Sequence, residues 1–225
     1  MNAKQQAGEK AADYIRPGMT VGLGTGSTAY WAIREIGHRV QQGLQIKAVA
    51  SSHQTETFAR ELGIPMISFA AVNRIDLDID GADEVDQGLN LIKGGGGALL
   101  REKIIAYNSK QFIVVADESK LVKQLGTFPL PVEVFPFAWE LTFSQLKSLG
   151  AIPVLRNEGT SPFVTDNGNY IIDCSFGPIP DPVKLQKRLK DIAGIAENGL
   201  FLGMADIVLF GRSDGEVEIL EKKQQ

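Results

Sequence analysis

The chain has 225 residues, 44% of them apolar and 22% charged, close to the globular average, which excludes a disordered or fibrous chain. Its 23 basic residues against 27 acidic ones leave a net charge of −4, so it carries no basic footprint for nucleic acid. A single cysteine, Cys174, excludes an intrachain disulfide and a multi-cysteine metal site, and two histidines, His38 and His53, leave little for imidazole chemistry.

The start, Met1-Asn2-Ala3-Lys4-Gln5-Gln6, is polar and leads into a helical pattern over 3–15, so no signal peptide is expected. No apolar run reaches the ~18–20 residues that a membrane span needs, and a cytoplasmic protein is the expectation. Val21-Gly22-Leu23 ends a short strand. A helix follows from about Ser27, with Ala29, Ile33, Ile36 and Val40 on one face. A strand is expected over 46–50 and a helix over 53–62, ended by Gly63 and Pro65. Strands over 75–80 and 89–92, a helix over 98–108 and a buried strand over 112–116 complete this half. Strands alternating with helices imply a parallel sheet covered on both faces.

The texture changes near residue 127, where Pro129, Pro131 and Pro136 fall close together. A strand over 132–135, a helix over 138–149, strands over 152–155, 162–165 and 170–174, and a helix over 182–193 give a β-α-β-β-α order. With turns such as Asp166-Asn167-Gly168 it reads as a small α+β domain of ferredoxin-like type. Strands over 206–210 and 216–220, joined by Ser213-Asp214-Gly215, return to the first domain. The expected fold is therefore α/β: a Rossmann-like parallel-sheet domain over 1–127 plus 199–225, and a smaller α+β domain over 128–198.

Gly22-Leu23-Gly24-Thr25-Gly26-Ser27-Thr28 joins a strand to a helix. Unpaired N–H groups and the positive helix end suit an anion there, and Thr25, Ser27 and Thr28 add hydroxyls. Taken alone, the segment also fits a tight turn capped by Ser27 or Thr28. A dinucleotide needs a third glycine and an acidic residue after the second strand. Here those positions hold Ser27 and Ala50-Ser51-Ser52, so a small phosphate ester fits better than a nucleoside. The same lack weakens an S-adenosylmethionine reading.

In 75–80 the residues Asp76, Asp78 and Asp80 alternate with Ile75, Leu77 and Ile79, as a solvated strand face would. A Ca²⁺ site from Asp80, Asp83 and Asp86 is disfavoured because the spacing fits no EF-hand loop. Lys93-Gly94-Gly95-Gly96-Gly97 lies between a strand and a helix, which fits either a flexible loop or a backbone nest with an ammonium beside it. On the following helix the neighbours of Glu102 are Ala98, Leu99, Ile105 and Ala106. A carboxylate in that apolar face has its pKa raised toward neutrality and suits a general base. The competing reading is a surface glutamate paired with Arg101 or Lys103. The glycine turn, Asp80, Lys93 and Lys120 all fall just past proposed strand ends, the ligand edge of an open α/β sheet.

Gly24-Thr25-Gly26-Ser27-Thr28, Asp80-Gly81-Ala82-Asp83-Glu84, Lys93-Gly94-Gly95-Gly96, Arg101-Glu102-Lys103 and Asp117-Glu118-Ser119-Lys120 together resemble, in order and spacing, ribose-5-phosphate isomerase of the A type. Gly97 departs from the alanine familiar in relatives, which reads as a looser loop. The resemblance implies interconversion of D-ribose 5-phosphate and D-ribulose 5-phosphate in the non-oxidative pentose phosphate pathway, with no metal or organic cofactor. It implies that Glu102 moves a proton between C2 and C1 through an enediolate, and that Asp80, Asp83 and Lys93 handle the sugar oxygens and ring opening. Thr25, Gly26, Ser27, Thr28, Gly81, Ala82, Gly94, Gly95, Gly96 and Lys120 are implied as substrate-binding positions. It also implies a homodimer or homotetramer assembled through the small domain.

Two other classes were weighed. A sugar-phosphate deaminase or coenzyme A transferase on a similar scaffold would need a histidine in a strand-end motif, or Glu102 as a nucleophile. A sugar-phosphate sensor in a transcriptional regulator would need a basic helix-turn-helix, and the 20 residues before the glycine turn are too few for one.

Overall fold

The structure is a computed structural model and describes residues 2–222. In chain order come α1 (Ala3–Ala11), β1 (Thr20–Leu23), α2 (Ala29–Gln41), β2 (Lys47–Ala50), α3 (His53–Glu61) and β3 (Leu77–Gly81). Next are β4 (Glu84–Val85), β5 (Leu91–Ile92), α4 (Leu99–Tyr107), β6 (Phe112–Asp117), β7 (Leu130–Val134), α5 (Trp139–Ser148) and β8 (Ile152–Leu155). The chain ends with β9 (Asn157–Glu158), β10 (Ser161–Pro162), β11 (Tyr170–Ser175), α6 (Pro182–Lys190), β12 (Ile195–Asn198), β13 (Leu200–Phe201), β14 (Ile207–Gly211) and β15 (Val217–Glu221).

The apolar run Phe112–Ala116 is buried throughout, as a strand covered on both faces must be. It lies within a six-stranded sheet of order β15-β14-β6-β3-β1-β2, parallel except for the β14–β15 hairpin. Side chains alternate between two cores. Leu77, Ile79, Ile113 and Val115 pack with Ala7, Ala11, Ile33 and Ile36 of α1 and α2. Phe112, Val114 and Ala116 pack with Ala106 of α4 on the opposite face. Each large apolar side chain buried in this way contributes ~1.5–3 kcal/mol.

A second core joins Val132, Val134, Ile172, Leu146 and Leu189 under a four-stranded antiparallel sheet of order β12-β7-β11-β8. With α5 and α6 its chain order is β-α-β-β-α-β, the ferredoxin-like arrangement. The fold is thus α/β with a second, smaller α+β unit. A small three-stranded sheet, β13-β5-β4, stands between the two.

The sequence reading missed β4, β9, β12 and β13. Ile195–Asn198 has no clean alternation, and is a strand because β7 offers an edge to pair with. The strand expected over 162–165 shrinks to Ser161–Pro162 with a single bridge from Val164 to Tyr170. The helix expected over 182–193 ends at Lys190, and the one expected over 3–15 gives way to a 3₁₀ turn at Ala12.

The solvated face expected for strand 75–80 is corrected by the topology. Asp78 and Asp80 are each 1% exposed, because α4 covers the side of β3 from which they project. Only Asp76 remains near solvent, where it pairs with Lys110.

Candidate active site

The parallel strands end on one edge, and the turns beyond them build a pocket. Thr25, Gly26, Ser27 and Thr28 line it from the turn after β1, and Gly81, Ala82 and Asp83 from the segment after β3. Lys93, Gly94, Gly95 and Gly96 follow β5, Glu102 comes from α4, and Lys120 from the short 3₁₀ turn after β6. Five segments far apart in sequence therefore meet on the edge where open α/β sheets bind ligands. Lys4, on α1, also lines the pocket.

At one end lies a buried ionic cluster. Lys93 Nζ donates to the Gly81 carbonyl at 2.5 Å and stands 3.0 Å from Asp80 Oδ2 and 3.2 Å from Glu102 Oε2. Burial alone would lower the lysine pKa, but the charges of Asp80 and Glu102 outweigh it and hold the ammonium firmly protonated. Burial pushes the Glu102 carboxyl up to about 8. The Asp80 charge adds to this, and Lys93 offsets only part of it. Although Lys93 is within ion-pair distance, Glu102 Oε2 makes no hydrogen bond among the described residues. A buried carboxylate on a pocket wall, with the Lys93 ammonium beside it, has the form of a proton acceptor. Neither alternative partner engages Glu102. Arg101 turns to Asp166 and Asn167, and Lys103 to Glu197 and the Asn198 carbonyl.

Asp80 does not line the pocket. It lies beneath, and its Oδ1 accepts the N–H groups of Thr25 at 3.0 Å and Gly81 at 2.7 Å while Oδ2 faces Lys93. Burial raises its pKa and Lys93 opposes that rise. Its place explains Gly24, where a Cβ would stand 2.0 Å from Asp80 Oδ1. That glycine answers to the carboxylate under the turn, not to the approach of a phosphate. Asp78, two residues earlier on the same face, was not singled out by the sequence. Its pKa is raised well above the usual value by burial and by Asp80.

Asp83 Oδ2 accepts the Gly95 N–H at 2.7 Å, so one donor of the expected nest is already engaged. Gly97, read as loosening the loop, does the opposite. Its φ is +80° and a Cβ there would meet the Phe163 ring at 2.5 Å, so the position is tightly fitted.

The other end is polar and open. Ser27 Oγ accepts from Lys4 Nζ at 2.9 Å. Thr28 is the residue before α2, yet its side chain makes no cap bond. The Thr25 hydroxyl, expected to face a ligand, sits instead within hydrogen-bond distance of Ser51, Ser52 and Thr55. Thr25 therefore ties β2 and α3 to the turn, and the free donors at this end are those of Ser27, Thr28, Lys4 and Lys120. Lys4 was missed because only the packing of α1 beside the turn brings it there.

Among the described residues no group of three or more His, Cys, Asp or Glu side chains is arranged to hold a metal ion. No helix is long and apolar enough to cross a membrane.

Comparison with known proteins agrees with this geometry. The family model for ribose 5-phosphate isomerase A (phosphoriboisomerase A) matches residues 47–215. The ribose-5-phosphate isomerase A of Bacillus mycoides is 54% identical, over 96% of this chain and 98% of its own. The solved ribose 5-phosphate isomerase of Plasmodium falciparum superposes with a TM-score of 0.95 at 38% identity, covering 98% of both chains. A D-ribose-5-phosphate isomerase solved in complex with phospho-erythronic acid gives 0.94 at 43%, covering 98% of this chain and 100% of that one. Since the family model matches most of the chain and a relative 54% identical spans 96% of it, the chain belongs to the ribose 5-phosphate isomerase A family.

Proposed function

We propose that Glu102 is the base with which this protein interconverts D-ribose 5-phosphate and D-ribulose 5-phosphate, moving one proton between C2 and C1 through an enediolate. An aldose–ketose shift needs a base, a positive or hydrogen-bonding partner for the oxygen that gains charge, and an anchor for the distant phosphate. The observation that carries the reading is the Glu102 carboxyl, buried on the pocket wall beside a lysine held protonated. Glu102 accepts the proton at C2 and returns it at C1, while the O2 hydroxyl proton passes to O1 and leaves the carbonyl at C2. The Lys93 ammonium stabilises the oxyanion, and Asp83 and the Gly94–Gly96 backbone hold the neighbouring sugar oxygens. Asp80 acts from below, fixing Lys93 and the Thr25 turn, in place of the direct sugar contact first expected of it.

The phosphate belongs at the open end, with Ser27, Thr28, Lys4, Lys120 and the Gly26 backbone. A solved relative binds phospho-erythronic acid, which pairs a phosphate with a carboxylate, and this supports an anchor for phosphate in the site. The sugar phosphate is the partner in view; nucleic acid and membrane have no place in this reading. Residues 1–127 with 199–225 form the catalytic domain, and 128–198 the small domain through which the chain assembles as a homodimer or homotetramer in the cytoplasm. Exposed Phe137, Leu141, Ile152 and Val154 on that small unit support assembly there.

The test is a coupled assay for ribulose 5-phosphate formed from ribose 5-phosphate, run with Glu102→Gln alongside. Wild-type turnover with loss in the variant is expected. Equal turnover in both would reject Glu102 as the base.

A further inference from the structure

Arg156, just past β8 on the small sheet, reaches across to the glycine loop. Asp173 on the neighbouring β11 holds it as a fork, with Nε to Oδ2 at 2.9 Å and Nη2 to Oδ1 at 2.5 Å. The remaining nitrogen, Nη1, donates to the carbonyls of Gly94 at 2.9 Å and Gly95 at 3.1 Å. No peptide bond among the described residues is cis, so the N–H that shares a peptide plane with each carbonyl points the opposite way. For the Gly94 carbonyl that N–H is Gly95, which donates to Asp83. For the Gly95 carbonyl it is Gly96, which makes no hydrogen bond among the described residues and lines the pocket. Phe163, from the same unit, fills the space beside Gly97 and lies against the Arg156 guanidinium.

Four successive glycines would leave this loop many conformations. A guanidinium pinned by its own carboxylate selects one of them, and its charge polarises both peptide groups so that their N–H ends donate more strongly. We propose that Arg156 is a positioning residue for the isomerisation: it sets the Gly94 and Gly95 carbonyls so that the Gly96 N–H is presented to the oxygen that gains charge beside Lys93. This rests on the reading of that end of the pocket as the reacting end.

The experiment compares Arg156→Ala, Arg156→Lys and Asp173→Asn with wild type. It reads kcat, KM, inhibition by inorganic phosphate and thermal stability. Misplacing a reacting group by ~1 Å costs about 10²-fold, so Arg156→Ala is expected to lose roughly 10–100-fold in kcat. Phosphate inhibition is expected to stay unchanged, because Ser27, Lys4 and Lys120 lie at the other end. Arg156→Lys is expected to stay low, since one ammonium cannot replace the planar fork, while added guanidinium ion should restore part of the Arg156→Ala activity. If Arg156→Ala does not fold, Asp173→Asn keeps the arginine but loosens it, and is expected to give a smaller loss with the same split. A folded Arg156→Ala variant with kcat within twofold of wild type overturns the proposal. So does a loss of kcat matched by an equal loss of phosphate inhibition, which marks general damage. An active Glu102→Gln variant would instead overturn the site assignment beneath it.

Discussion

Asp80, Lys93 and Glu102 at one end of the pocket have side chains no more than 3% exposed, while Gly26 and Ser27 at the other end stand open to solvent. The buried end carries raised carboxyl pKa values and a lysine held charged by its neighbours. The open end offers hydroxyls and two lysines, and its bond between Lys4 and Ser27 is made in an exposed setting. Burial changes what a group does chemically, because water no longer screens its neighbours or supports its charge. An exposed hydroxyl or ammonium keeps its ordinary chemistry and contributes binding. The contrast assigns reaction to one end and anchoring to the other.

The sharpest way to break this division is Glu102→Gln, which keeps shape but cannot accept a proton. Losing a general base typically costs ~10²–10⁴-fold, about 3–5.5 kcal/mol in the barrier. The loss should appear in kcat, with KM little changed, and exchange of the substrate C2 proton into D₂O should fall in step. A variant that weakened phosphate binding as strongly would show the two ends to be one unit.

Lys93→Ala probes the same end through stability. It leaves Asp80 and Glu102 buried without their cation, a loss of ~3–5 kcal/mol when one partner of a buried ion pair is removed. Urea denaturation should show a much lower midpoint. Lys120→Ala, at the open end, should leave the midpoint nearly unmoved.

The pH profile separates the ends without mutation. Glu102 must be ionised to accept a proton, and its carboxyl titrates at about 8. Below that pH the protonated form predominates, so kcat/KM should fall about tenfold per pH unit as pH drops. The limb should vanish from the residual activity of Glu102→Gln. A profile flat from pH 6 to 9 would contradict the burial argument.

At the open end, Ser27→Ala combined with Lys120→Ala should weaken phosphate contacts by about 1.5 kcal/mol, roughly tenfold in KM, with kcat nearly intact. Inorganic phosphate should compete with substrate in the wild type and less well in the double variant. The smallest effect expected is from chelation, because the acidic groups of the site are engaged by Lys93 and backbone N–H donors. Exhaustive treatment with EDTA should leave turnover unchanged, and recovery of a lost activity by a divalent ion would put a metal where Lys93 is assigned.

Much of this was legible in the chain itself. The 3–4 spacing of Ala29, Ile33 and Ile36 and the apolar run 112–116 determine a helix and a doubly covered strand whatever surrounds them. The apolar neighbours of Glu102 follow from helix geometry alone, while its raised pKa comes from the burial and the Asp80 charge that the tertiary fold supplies. What tertiary structure alone decided are the contacts between segments distant in sequence. The alternation of Asp76, Asp78 and Asp80 is equally consistent with water or with a covering helix, and only the placement of α4 across β3 makes Asp78 and Asp80 buried. Glu102 pairs with Lys93 rather than with adjacent Arg101 or Lys103, because i±1 neighbours point elsewhere on a helix while the turn after β5 is carried under it. Lys4 reaches the pocket, and Arg156 the glycine loop, only because α1 packs beside the glycine turn and the small sheet packs beside that loop. Local periodicity fixes which face a residue occupies. What that face meets is decided by long-range packing, which no spacing along the chain encodes.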